Sequence, residues 1–337
     1  MSARSRAARR ALVLAAALIA TLATRAHAHI VSERDVALIR SVPAQRMAML
    51  LAGAMPDANG CVGENRGTWR GVEPQAAAAF LIADAATRAD SARCEIAWRS
   101  LDAAFEQQTP RGDFLRAEPT GALAARVGIT RWMGESCRAL VAVMNSPLQE
   151  RFRWRHTLML PKVRRTLDWL VAGADSAQAQ LQAAQDAPAL LSQARCFLLA
   201  DGMFHEESFG RAGQRAIQSA LAMQADDGTF HSPTPGAPAQ SASVWALQSV
   251  AEYFPSPSLE SALQKGAMAL AAQVGADGKV AGVSDLAAAR RVALTLTMYA
   301  AYSGDAAMAK VAERASLASA AVPKSLRRQP PPLPLKQ

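Results

Sequence analysis

Residues 207–230 read ESFGRAGQRAIQSALAMQADDGTF, and this stretch decides the fold class. Ala216, Ile217, Ala220 and Leu221 recur at i, i+1, i+4 and i+5, the spacing of one face of an α-helix. Ala225-Asp226-Asp227-Gly228-Thr229-Phe230 then reads as a tight turn, because glycine accepts the positive φ that ends a helix and Asp bonds its own backbone. Helical spacing resumes over 240–254, so the stretch predicts helix, glycine corner, irregular run and second helix.

Outward from there the same order recurs. Helix 91–107 leads through Gln108–Phe114 to helix 121–144, and helix 257–274 leads through Gly275–Val280 to helix 284–303. A weaker copy runs from helix 33–55 through Asn65-Arg66-Gly67-Thr68-Trp69 to helix 75–89. In a fifth, helix 149–172 to helix 187–202, the Ala/Gln-rich run 173–186 replaces the glycine corner. A spacing of roughly 45 to 65 residues is that of a two-helix repeat, which cannot bury its apolar face alone and must stack on its neighbours. Five to six such antiparallel hairpins close, or nearly close, a ring with the more apolar helices inside. The expected class is therefore all-α, an α/α toroid with a complete or incomplete ring; an open right-handed superhelix is the alternative arrangement. Aromatics are only 5% of the chain, which disfavours a β-sandwich.

The 337 residues carry a formal charge of +9, but the excess sits at the ends. Residues 29–322 hold 28 basic and 28 acidic side chains, so the folded part is neutral and basicity gives no argument for nucleic acid. Residues 1–28 read as a secretory signal peptide: Arg4 to Arg10, then apolar Ala11 to Ala20, then Ala26-His27-Ala28 as the cleavage site. A periplasmic or secreted protein is expected, with no transmembrane segment in the mature chain. Cys61, Cys94, Cys137 and Cys196 fit one or two disulfides in such a compartment, with free buried thiols as the alternative. Residues 29–322 form the expected toroid domain, and the Pro-rich basic run 323–337 reads as a disordered tail.

The turn Gln224-Ala-Asp-Asp-Gly-Thr-Phe230 before Ser243-Val244-Trp245-Ala246-Leu247 resembles the Q-x-x-D-G-x-F/W turn of terpenoid-cyclase and prenyltransferase toroids. The D-x-D-D acid and the zinc set of those enzymes are missing. Asn65-Arg66-Gly67-Thr68-Trp69 and Gln108 to Glu118 resemble two motifs of alginate-lyase-type helical toroids, with Arg66 where that family has a catalytic His. Arg cannot act as a base near neutral pH, though it can neutralise a uronate carboxylate. These resemblances imply a toroid that handles a polysaccharide.

In a ring the glycine corners gather at one rim with the N-termini of the inner helices, whose partial positive charge favours an anionic or hydroxyl-rich ligand. The candidate catalytic residues on that rim are Asp113, Glu118 and His231, the carboxyls supplying acid and base for glycoside cleavage. Asn65, Arg66, Trp69 and Arg116 are the candidate substrate-binding residues, Trp69 as a stacking platform. Tyr253, Tyr299 and Tyr302 fall late in inner helices, away from the rim, which weighs against a Tyr-driven β-elimination. His205-Glu206-Glu207 has no second His at metal spacing, so neither metal nor cofactor is expected. On helix 149–172, Arg151, Arg155, Lys162 and Arg165 share a face that suits an acidic glycan or an envelope protein partner. Two functions remain: a periplasmic or secreted carbohydrate-active toroid, binding or cleaving a polysaccharide as glycoside hydrolase or polysaccharide lyase, and a non-catalytic helical scaffold or adaptor of an envelope assembly.

Overall fold

The structure is a computed structural model that describes residues 34–116 and 121–320. The expected signal peptide, the tail 323–337 and Glu118 lie outside the described residues. A first helical segment, α1 (34–41), precedes α2 (Ala44–Leu50), α3 (Ala76–Thr87), α4 (Ser91–Glu106), α5 (Ala122–Met144) and α6 (Gln149–Ala172). Then follow α7 (Ala174–Ala183), α8 (Ala187–Phe204), α9 (Glu207–Leu221), α10 (Ala237–Tyr253), α11 (Pro257–Ala271), α12 (Leu286–Ser303) and α13 (Ala306–Ala320). Among the described residues there is no strand beyond three isolated bridges within corners, such as Gln224 to Phe230.

The helices form an α/α toroid. The inner ring runs α3, α5, α8, α10, α12, each packed on the next, and α4, α6, α9, α11 and α13 lie outside. Inner helices are apolar nearly all round, as expected of a helix with neighbours on every side. Residues 78–87 of α3 and 187–200 of α8 are buried without interruption. Outer helices bury a single stripe, as α9 does with Phe209, Ala212, Ala216, Ile217 and Ala220. The N-terminal segment fills the gap between α12 and α3. There α2 packs on α12 and α13, Arg46 pairs with Glu313, and Arg88 at the end of α3 donates to the Ile39 and Val42 carbonyls.

One contact repeats around the ring. The corner glycines Gly60, Gly112, Gly228 and Gly278 all have positive φ, between 78° and 100°. Each lies with its Cα against a backbone carbonyl of the following outer helix: Arg99 of α4, Arg165 of α6, Lys265 of α11 and Arg314 of α13. A Cβ at any of them would come within 2.2 to 2.4 Å of that oxygen. Side chains reinforce the joint. Gln108 Nε2 donates to the Lys162 carbonyl (2.8 Å), and Gln224 Nε2 donates to that of Ala262 (2.8 Å). Gln75 and Gln240 accept from Val62 N and Phe230 N and donate to the Gly60 and Gly228 carbonyls.

Three expectations need correction. The corner glycine of the first unit is Gly60, in Asp57-Ala58-Asn59-Gly60, and not Gly67, which has nothing within 4 Å of its would-be Cβ. The helix expected over 33–55 breaks at Val42–Pro43, where the residue before proline is steered away from helical ψ. The expected disulfides are not formed. Cys94, Cys137 and Cys196 are buried free thiols packed as small apolar side chains in α4, α5 and α8, while Cys61 sits in the first corner. The Ala/Gln-rich run between α6 and α8 forms α7, which takes over the lost corner's task. Its Gln178 and Gln182 donate to Ser219 Oγ, and its Asp175 pairs with Arg215, both partners on α9.

Gly228→Ala is expected to destabilise the protein by about 3 kcal/mol or more, since left-handed strain adds to overlap with the Lys265 carbonyl. Gly67→Ala, at a positive φ in open space, should cost about 1 kcal/mol. Denaturant unfolding of both variants measures the gap; equal losses would remove the docking role assigned to the corner.

Candidate functional site

The corners dock six or seven residues before the end of the outer helix that follows, so they share one level and one face of the ring. That face carries an open groove of about 550 Å³. It is lined by Gln185 at the α7–α8 junction, by Thr229 to Pro233, Pro235 and Gly236 of the corner before α10, by Ala239 and Gln240 of α10, and by Gln273. His231 is exposed at its centre; its Nδ1 meets Gln185 Oε1 at 3.2 Å, which leaves Nε2 for a ligand. Its backbone is held on both sides, His231 N donating to the Met223 carbonyl and the His231 carbonyl accepting from Ala187 N. The α10 N-terminus has no side-chain cap and opens on the same groove through Gly236 and Ala239. Among the described residues no Asp, Glu, Lys or Arg lines the groove.

The other expected site residues gather at a separate sector, around the first two corners. Asn65 is fully buried and acts as a loop bracket: its Nδ2 donates to the Gly71 carbonyl (2.7 Å) and its Oδ1 accepts from Arg70 N (2.8 Å). Arg66 donates to the Met55 carbonyl, and Trp69 Nε1 donates to that of Leu115, 46 residues away. Asp113 accepts the Thr109 hydroxyl within its own corner. Arg116 pairs with Glu73 at 2.5 Å, and Glu73 lies so close to α5 that a Cβ on Gly128 would fall 1.8 Å from its Oε1. None of Asn65, Arg66, Trp69, Asp113 or Arg116 lines the groove that holds His231. The described residues include no cluster of three potential metal ligands.

The bore of the ring is closed by a layer of buried charges that sequence reading missed. Arg138 of α5 makes a two-pronged pair with Asp35 of α1, its Nε 2.9 Å from Oδ2, and its Nη2 lies 3.6 Å from Glu252 Oε2 of α10. Its guanidinium lies over the rings of Phe80 (α3) and Trp245 (α10), which themselves meet edge to face at 4.9 Å across the bore. One turn nearer the corners, Glu135 Oε1 accepts from Trp245 Nε1 (2.6 Å) and pairs with Arg195 of α8 (2.8 Å). The available signal was a charged residue on a helix otherwise apolar all round: Glu135 and Arg138 in ITRWMGESCRALVAVM, and Arg195 in LLSQARCFLLA.

Burial first, and the nearby Asp35 carboxylate second, push the Glu252 carboxyl up to about 8 against the pull of Arg138. Asp35, Arg138, Gln248, Tyr253 and Tyr302 are the polar groups that interact with it. Burial likewise pushes the Tyr253 phenol up. Glu252 therefore holds its proton to a higher pH than an ordinary carboxyl.

Among solved structures, one of the unsaturated glucuronyl hydrolase UGL, a variant with dGlcA-Glc-Rha-Glc, is similar to 85% of this chain and to 82% of its own, at 12% identity and a TM-score of 0.47. No family model and no curated protein matches this chain.

A carboxyl whose pKa is raised by folding binds its proton more tightly in the native state. Its contribution is fully present below the ordinary value of 4.5 and is lost as pH climbs to about 8. Glu252→Gln, which keeps the neutral form at every pH, should match the wild type in Tm near pH 5 and exceed it by several degrees near pH 9. Parallel Tm profiles across that range would contradict the buried, protonated Glu252.

Proposed function

We propose that this toroid binds a hydroxyl-rich polysaccharide along its corner face, in the groove beside His231, and does so without cleaving it. The lining of that groove carries the reading. Amides, hydroxyls, one imidazole and proline rings offer hydrogen bonds and flat apolar surface, the two things a neutral sugar chain presents in return. The uncapped α10 N-terminus adds donors for sugar oxygens. Glycoside cleavage uses two carboxyls on either side of the bond, and among the described residues none that lines this groove carries a carboxyl. Asp113, placed in another sector, serves its own corner. The resemblance of residues 65–69 and 108–118 to motifs of polysaccharide-handling toroids points the same way, and the leader pattern of residues 1–28 supports a periplasmic or secreted setting.

A second reading, an adaptor in an envelope assembly, draws on α6. Trp154 and Leu158 are 71% and 53% exposed on successive turns. Arg151 and Arg155 beside them both turn to Glu95 of α4. The cations are thereby partly neutralised, so the apolar pair rather than the charge would carry such a contact.

Affinity electrophoresis through neutral and acidic polysaccharides tests the leading reading. Retardation by a neutral polymer is expected, weakened roughly tenfold by His231→Ala and left unchanged by Asp113→Asn. Release of reducing ends or unsaturated products, abolished by Asp113→Asn, would replace binding with catalysis.

A further inference from the structure

The corner-facing half of the bore is a second concave surface, distinct from the groove and independent of its reading. Exposure along the inner helices maps it. An inner helix is covered by outer helices behind and by its ring neighbours on either side, so a side chain exposed partway along it can only look into the bore. On α5 the lumen face is marked by Glu135 and Arg138, which reach across to α8, α10 and α1. One turn toward the corners on that face, Arg131 is exposed, and Ala124 beyond it is exposed as well. On α10 the corresponding stripe is Pro238, Ala242 and Trp245, exposed and then half-buried. On α12 it is Ala287, Arg291 and Leu294, ending at Met298, which is fully buried. These three stripes, spaced i, i+4, i+7, lose exposure from the corners inward and stop at the Glu135–Trp245 level. They describe a funnel that opens on the corner face and has Trp245 in its floor.

Its chemistry is one-sided. Among the described residues neither Arg131 nor Arg291 has an ion-pair partner, although most of the arginines on the outer surface do. Above Glu135 the three stripes carry no carboxylate. Glu135 itself is nine-tenths buried and engaged through Oε1 with Arg195 and Trp245, while its Oε2 has no hydrogen-bond partner. Two unpaired guanidiniums in a concave, low-dielectric wall attract an anion more strongly than they would on an open surface. The Trp245 ring, held in place by its Nε1 bond and its contact with Phe80, offers a face for stacking.

We propose that this funnel is a binding site for a small ring-bearing monoanion, its charged group held by Arg131 and Arg291 and its ring stacked on Trp245. A guanidinium takes a carboxylate through two parallel hydrogen bonds, which fixes the ring's orientation over the indole.

Isothermal titration of the full chain with glucuronate, benzoate and glucose tests this. At least one of the two anions should bind, and glucose at least tenfold more weakly than the better anion. Arg131→Gln, a change at an exposed position, should weaken the anion about tenfold or more, the worth of one charge-assisted contact, with the circular-dichroism spectrum and Tm retained. Trp245→Phe should weaken it less, while His231→Ala should leave it unchanged because that residue belongs to the groove. Failure of both anions to bind at millimolar concentration, or equal affinity in the folded Arg131→Gln variant, would overturn the proposal.

Discussion

The contact between a corner glycine and the carbonyl of the next outer helix sets the geometry of the whole ring. A hairpin of two helices has no preferred partner until something fixes its level against its neighbour. The missing Cβ of Gly60, Gly112, Gly228 or Gly278 lets two backbones touch at that point, and the left-handed φ that only glycine adopts without strain turns the chain inward at the same residue. Because the contact falls at the same height on α4, α6, α11 and α13, the corners share one face. Both concave surfaces of the protein, the groove beside His231 and the mouth of the bore, are consequences of that alignment.

The bore is closed by charge as well as by apolar packing. Arg138 is among the most deeply buried side chains in the molecule, and it is tolerated because Asp35 meets it with two oxygens while Phe80 and Trp245 cover its faces. Losing one partner of such a pair typically costs about 3–5 kcal/mol, since the other charge is left buried and alone. Asp35 also makes the N-terminal segment part of the core: α1 is tied by it to α5 across the bore, and by Arg88 to the end of α3. Burial and the neighbouring Asp35 carboxylate favour the protonated form of Glu252, so this layer responds to pH.

Much of the fold was legible in the amino-acid order. The stripe in α9 and the Asp-Asp-Gly corner behind it are local features, decided by residues within a few positions of one another, and their repetition implies stacking. Gly60 and Gly67 both precede the same inner helix, and only the approach of α4 distinguishes them. The cysteines differ from expectation for a similar reason: a compartment argument says that bridges are chemically allowed, while pairing depends on which faces meet, and Cys94, Cys137 and Cys196 lie in packed helix faces while Cys61 sits in a corner, with no bridge among them.

The candidate site divides along the same line. Residue type and corner position marked His231 as a rim residue, and Asp113, Trp69 and Arg116 likewise, but neighbourhood on the rim is a matter of angle around the ring, set by helix packing over hundreds of residues. Thus His231 meets Gln185 across 46 positions while Asp113 turns back on Thr109. The amino-acid order alone determined that the chain is helical, repeats as hairpins and turns at glycines, since those properties follow from short-range sterics and periodicity. Tertiary structure alone decided which corners share a groove, which charges meet in the bore and which arginines are left unpaired there, since each of these depends on side chains far apart in sequence reaching the same few ångströms of space.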